Sequence, residues 1–292
     1  MSTAEARVSA FAVPGPVVAV VDLAVGDLRV VASDRSDAVV EVRPGDPDKP
    51  HEVAAADHTQ VDLVDGVLTV RAPGKWKQYT PWGGNESVHV TLLLPTGSRL
   101  RATTIMSALQ VEGWLGECRF RTSMGAVRIQ DAGTVDVRTG AGDVTVGAVT
   151  GIATVSTGTG VVQIDAVGPG SSAHSGNGDV VVGDAADGLK VTSSNGALVV
   201  DRARGDLTAR TSNGRISLGD VARGTVSART AAGAVDIAVH DGVAAELDVH
   251  TYGAARSTLQ PIPAPAAVDD AVRVVARSQF GDVVIRRVSD SR

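Results

Sequence analysis

A recurring glycine in the middle of the chain fixes the positions of the residues best suited to chemistry. Four residues before it stand Arg121, Arg138, Ser156, His174, Thr192, Arg210 and Arg229, and His250 and Arg277 extend the series late in the chain. A broken basic stripe of this kind attracts an anionic polymer or head group. The same residues also read as a solvated sheet face, because arginine is common here and outward charges blunt sheet surfaces. Three residues before the glycine stand Thr104, Thr122, Thr139, Thr157, Ser175, Ser193, Thr211, Thr230 and Ser278. Regular threonine arrays can bind ice, but these hydroxyls share the parity of the apolar columns. They are expected to point inward and bond to backbone.

A second candidate surface is the segment from Gly74 to Asn85, where Trp76, Tyr79 and Trp82 stand beside Lys75 and Lys77. Exposed rings with cations suit contact with a protein, a sugar or a membrane interface. Rings folded back to plug the end of a coil are the other reading. Asp27, Asp143, Asp179 and Asp282 follow repeat glycines, yet a calcium-binding nonapeptide array needs twice this density of glycine and aspartate. The six histidines lack metal-ligand spacing, Cys118 falls on an apolar column, and no nucleophile elbow, P-loop or dinucleotide fingerprint is present. The expectation is therefore no catalytic residue, no metal, no cofactor and no enzyme.

The elements that position these residues follow from self-similarity. The phrases TSMGAVRI, TGAGDVTV, TGTGVVQI, SGNGDVVV, SSNGALVV, TSNGRISL and TAAGAVDI place Gly125, Gly142, Gly160, Gly178, Gly196, Gly214 and Gly233 at spacings of 17, 18, 18, 18, 18 and 19 residues. Apolar residues fall seven and five before the glycine and two, four and seven after it, the period of strands separated by a corner. The last of these columns reads Trp114, Ala132, Val149, Val167, Ala185, Ala203 and Val221. Asn-Gly pairs at 177–178, 195–196 and 213–214 also fit hairpins. A constant period favours instead a coil stacking on itself at about 4.8 Å per rung, so the fold class is all-β, a parallel β-solenoid (β-helix) with rungs of about 18 residues.

Aromatics make up only 3% of the chain against 43% hydrophobic residues. Thin layers of Val, Leu, Ile and Ala are the consequence. Residues 1–95 are expected to form N-terminal β strands and a cap continuous with the solenoid, and residues 96–292 the repeats, with an irregular, proline-rich insertion near 254–272. The formal net charge of −6 speaks against a general nucleic-acid binder. Neither a secretory leader nor an apolar run of spanning length is read in the sequence, which gives an expectation of cytoplasmic localisation.

The run from Val88 to Leu100, the repeated Thr-x-x-Gly-x-Val-x-Val rungs and the closing Phe280-Gly-Asp-Val-Val-Ile-Arg286 resemble the bacterial β-strand-repeat family, whose members carry the labels "putative adhesin" and domain of unknown function. The resemblance covers about Val18 to Arg287. It implies a β-solenoid and, by family label, surface attachment or envelope-stress response, with no catalytic residue to carry over. The leading expectation is a non-catalytic scaffold or binding module for a protein or anionic polymer partner, using Arg121, Arg138, Arg210 and Arg229 with the aromatic segment. A carbohydrate-active β-helix enzyme is one alternative. A self-assembling structural protein, with Val181 and Val199 as outward contacts, is the other, and the sequence leaves the oligomeric state open.

Overall fold

The computed structural model of the chain describes residues 6–73, 86–259 and 271–288. Two compact units are present, Met1–Gly142 and Asp143–Arg292. Both are built from coils of parallel strands, so the chain is a β-solenoid.

In the first unit, strand Val18–Asp22 lies between Val67–Arg71 and Arg99–Thr103, and strand Leu28–Ser33 lies between Val88–Pro95 and Leu109–Met124, all parallel. The earliest turn of the coil is thus threaded between two later ones. Antiparallel pairs flank it: Arg7–Ala12 with Asp37–Pro44, Asp37–Pro44 with Val88–Pro95, and Gln60–Val64 with Val67–Arg71. One short helix, Pro50–Asp57, starts with a proline in its first turn and buries Ala55 and Ala56. Its Glu52 is buried with compensation, 3.2 Å from Lys49 Nζ and accepting the Asp46 N–H at 2.7 Å, as a buried carboxylate requires.

The register between Leu109–Met124 and Val127–Ala141 breaks between Ile129 and Asp131. The earlier strand carries one extra residue there, and Gly113 absorbs it at φ +80°. The bulge corrects one expectation. Trp114 does not join the inward column: it is 41% exposed, and Leu115 fills the buried place opposite Ala132. A bulge shifts the face of every side chain after it until register is restored.

In the second unit, equivalent residues stack in register. Val144, Val162, Val180, Leu198, Ile216, Val235 and Val283 form one column across successive strands. Each is at most 1% exposed. On the other strand of each rung, Val155, Ala173, Val191, Ala209, Ala228 and Ala276 form the facing column. Alanine and valine on one wall and valine, leucine and isoleucine on the other fill a thin layer without aromatic rings, and each buried Val, Leu or Ile contributes about 1.5–3 kcal/mol. Outward, Val181 and Val199 stand side by side and are half-buried.

The Thr/Ser-x-x-Gly phrase has a mechanical cause. Gly196 and Gly214 both adopt φ +158°, and a Cβ added to Gly214 would lie 2.0 Å from the carbonyl oxygen of Gly196. That carbonyl is also the acceptor for the hydroxyl three residues before the next glycine. Ser193 donates to Gly178 O at 3.0 Å, Thr211 to Gly196 O at 3.1 Å, Thr230 to Gly214 O at 3.1 Å and Ser278 to Gly233 O at 2.9 Å. The hydroxyls are buried, so each bond satisfies two polar groups that water does not reach, worth about 1 kcal/mol net. Beside the corners, Asn213 Nδ2 donates to Asn195 Oδ1 and Asn195 Nδ2 to Asn177 Oδ1, at 2.9 and 2.8 Å.

Chain order and spatial order differ again near the C-terminus. Strands Ala271–Phe280 and Val283–Arg287 lie between Gly224–Ala232 and Val235–Val239 on one side and Ala244–Thr251 and Ala255–Ser257 on the other. Burial explains the swap. Val272, Val274 and Ala276 are completely buried in the interior position, while Ala245, Leu247 and Val249 are only half-buried in the outer one.

Candidate binding groove

The swap assembles a site. It places strands Leu207–Asn213, Gly224–Ala232, Ala271–Phe280 and Ala244–Thr251 side by side, with Arg210 opposite Arg229, Arg229 opposite Arg277, and Arg277 opposite His250. Parallel neighbours are about 4.8 Å apart, so three guanidinium groups and an imidazole stand in file. They line an open groove of about 510 Å³ that also receives Ser212, Gln279 and Tyr252. Tyr252 is 89% exposed.

The file is unevenly balanced. Arg277 Nη2 donates to Asp248 at 2.8 Å, and Asp248 also lies 3.1 Å from His250 Nδ1. Among the described residues, no carboxylate lies within ion-pair distance of Arg210 or Arg229, and none of the residues lining the groove is acidic. Two adjacent, exposed, like charges with no counter-charge raise the local potential and favour an incoming anion. Asp184 in the same unit shows the contrasting arrangement. Arg204 and Arg202 flank Asp184, and the Arg204 hydrogen bond, followed by the charges of both, holds its carboxyl below the usual carboxylate range.

The first unit carries the same column with a different outcome. Arg121 and Arg138 are neighbours in register. Asp136 lies 3.9 Å from Arg121 Nη2, 3.5 Å from Arg138 Nε and 3.5 Å from Arg119 Nε. Glu117 lies 3.5 Å from both Arg101 and Arg119. Each of these arginines therefore has a carboxylate within ion-pair distance, although the carboxylates are shared.

Of the sequence candidates, the structure brings Arg210 and Arg229 together with Arg277, and it brings Arg121 and Arg138 together around Asp136. Lys75, Trp76, Lys77, Tyr79 and Trp82 lie outside the described residues. Tyr252 in the groove, and Asp248, which pairs with Arg277 outside its lining, were not singled out by the glycine count, because the phrase His250-Thr-Tyr-Gly253 is one residue short and its alignment opposite Ala271–Phe280 depends on the swap. Other candidate groups have structural duties. Asp143, Asp179 and Asp282 accept backbone N–H groups of Val161, Ala197 and Ala254 at 2.8, 2.7 and 2.9 Å. Cys118 is buried, and burial, with a smaller push from Glu117, raises its thiol to about 12. Among the described residues, no helix is long and apolar enough to cross a membrane.

A stacked coil of parallel strands with an outward file of arginines defines a β-solenoid scaffold. The chain belongs to the Toastrack DUF4097 family, whose model matches residues 26–260. No curated protein matches it. Among solved structures it is similar to a "putative adhesin" from Bacteroides fragilis, at 14% identity and TM-score 0.41, with 97% of each chain covered. A "putative adhesin" from Parabacteroides distasonis is similar at 12% identity and TM-score 0.40, and a "putative lipid binding protein" from the same organism at 11% and 0.38, again with 97% of each chain covered. Similarity at this level carries no argument about ligands.

Proposed function

We propose that this chain is a non-catalytic binding module that captures an anionic polymer on the face formed by Arg210, Arg229 and Arg277. The observation that carries this reading is the in-register file of guanidinium groups in which Arg210 and Arg229 have no carboxylate partner among the described residues. Guanidinium groups form forked, charge-assisted bonds to carboxylate, sulfate and phosphate. A polymer gains from several such contacts at once, because binding the first makes the next intramolecular.

The groove's chemistry supports binding over turnover. His250 and Asp248 form an oriented pair, but the nearby hydroxyls of Thr230, Thr251 and Ser278 all donate to backbone carbonyls. Ser212 stands three strands from His250, roughly 14 Å at parallel-strand spacing, beyond hydrogen-bond reach. Acid-base cleavage of a glycosidic bond uses two flanking carboxyl groups, and the groove lining supplies neither.

The test is a fluorescence titration of the full chain with labelled dextran sulfate and with neutral dextran. Saturable binding of the sulfated polymer alone is expected, weakening as salt rises because the contacts are exposed. Equal binding of both polymers, or binding indifferent to salt, would overturn the reading.

A further inference from the structure

We propose that the groove's preferred ligand is a linear acidic polysaccharide carrying carboxylates, laid across the strands along the arginine file, with a sugar ring seated on Tyr252. This rests on the polyanion reading above and names the class of polymer. Three observations point to it.

The first is the direction of the charge. Arg210, Arg229 and Arg277 repeat along the stacking direction, so the positive charge forms a line about two rungs long, roughly 10 Å, and not a cup. A small anion engages one or two members of such a line. A stiff chain with acidic groups at sugar-length intervals engages its whole length.

The second is the composition of the groove beside that line. Ser212 and Gln279 are exposed there, and a hydroxyl and a carboxamide each both donate and accept hydrogen bonds. Hydroxyl groups on a sugar need both functions.

The third is the ring. In a chain with few aromatics, Tyr252 is 89% exposed at the end of the file where Asp248 already occupies Arg277. Phe280, which follows Gln279 on the neighbouring strand, is 72% exposed. Rings at the end of a charged line suit the apolar face of a pyranose, with aromatic C–H contact in place of a further ion pair. Single-stranded nucleic acid also takes arginine and aromatic contacts, but its binding relies on rings spaced along the path for successive bases, and here the rings stand at one end.

Di-, tetra- and octagalacturonate are titrated into the full chain at one salt concentration, alongside carboxyl-reduced octamer, an eight-nucleotide oligo-dT, and vesicles of phosphatidylcholine with phosphatidylglycerol. Affinity is expected to rise at least about tenfold from dimer to octamer, and the carboxyl-reduced octamer is expected not to bind. Tyr252→Ala should weaken octamer binding about tenfold and Tyr252→Phe should restore it, while binding of inorganic polyphosphate, which has no sugar ring, changes less than about twofold. Affinity independent of length, no effect of Tyr252→Ala, or tighter binding of oligo-dT or vesicles would overturn the assignment. If dextran sulfate binds and galacturonates do not, the class is wrong and the polyanion reading stands; if neither binds, both fall.

Discussion

Arg121 and Arg138 in the first unit and Arg210 and Arg229 in the second occupy the same column, four residues before a corner glycine, yet only the first pair has a carboxylate within ion-pair distance among the described residues. The difference lies two residues earlier on the same strand face. Asp136 stands there beside Arg138, whereas the equivalent places beside Arg210 and Arg229 hold Thr208 and Ser227. Residues i and i+2 on a strand point to the same side, and residues opposite on neighbouring strands are closer still, so one carboxylate reaches three arginines in the first unit. A repeat column therefore sets where a side chain points. Its strand neighbours decide whether its charge is available.

This contrast can be broken at the scaffold or at the charges. The largest expected effect is on the scaffold: Gly214→Val, at the corner that follows Arg210, would drive a side chain into the Gly196 carbonyl at a backbone angle that L residues rarely adopt. A loss on the order of 3 kcal/mol or more is expected, read as a lower urea midpoint, and stability near wild type would show that the corner does not require glycine. Next comes transfer of the neutralising charge. Ser227→Asp places a carboxylate beside Arg229 in the manner of Asp136 beside Arg138, and dextran sulfate affinity should fall about tenfold with the urea midpoint little changed. The reciprocal change, Asp136→Ser, should produce a smaller gain of about threefold, because Glu117 still faces Arg119. Unaltered affinity in both variants would show that local compensation does not control the face.

Much of the rung was legible in the sequence because a two-residue period and a fixed glycine spacing leave little freedom. The columns two and four after the glycine are all buried, and the hydroxyls from Thr122 onward point inward to backbone carbonyls, whereas the buried Thr104 hydroxyl finds no partner among the described residues. Trp114 was misplaced because the extra residue at the Gly113 bulge gives its rung, Ser107 to Gly125, the same length of 18 residues as later rungs. The threading of Val18–Asp22 between later strands, and of Ala271–Phe280 between earlier ones, was not legible. Local periodicity specifies which residues face inward but not which rung stacks on which, and that choice is made by comparative burial. The arginine column could be read from its offset, but Asp136, two residues before Arg138, was not singled out. Placement of Arg277, His250 and Tyr252 in one groove, with Asp248 paired to Arg277, depended on the swap.

The central claim is that the same column binds a polyanion in one unit and not in the other. It is tested most directly by measuring dextran sulfate affinity for Arg210→Ala/Arg229→Ala and for Arg121→Ala/Arg138→Ala side by side at one salt concentration. The account predicts a loss of at least about thirtyfold in the first variant and less than about twofold in the second. Equal losses, or a larger loss in the second, would contradict it.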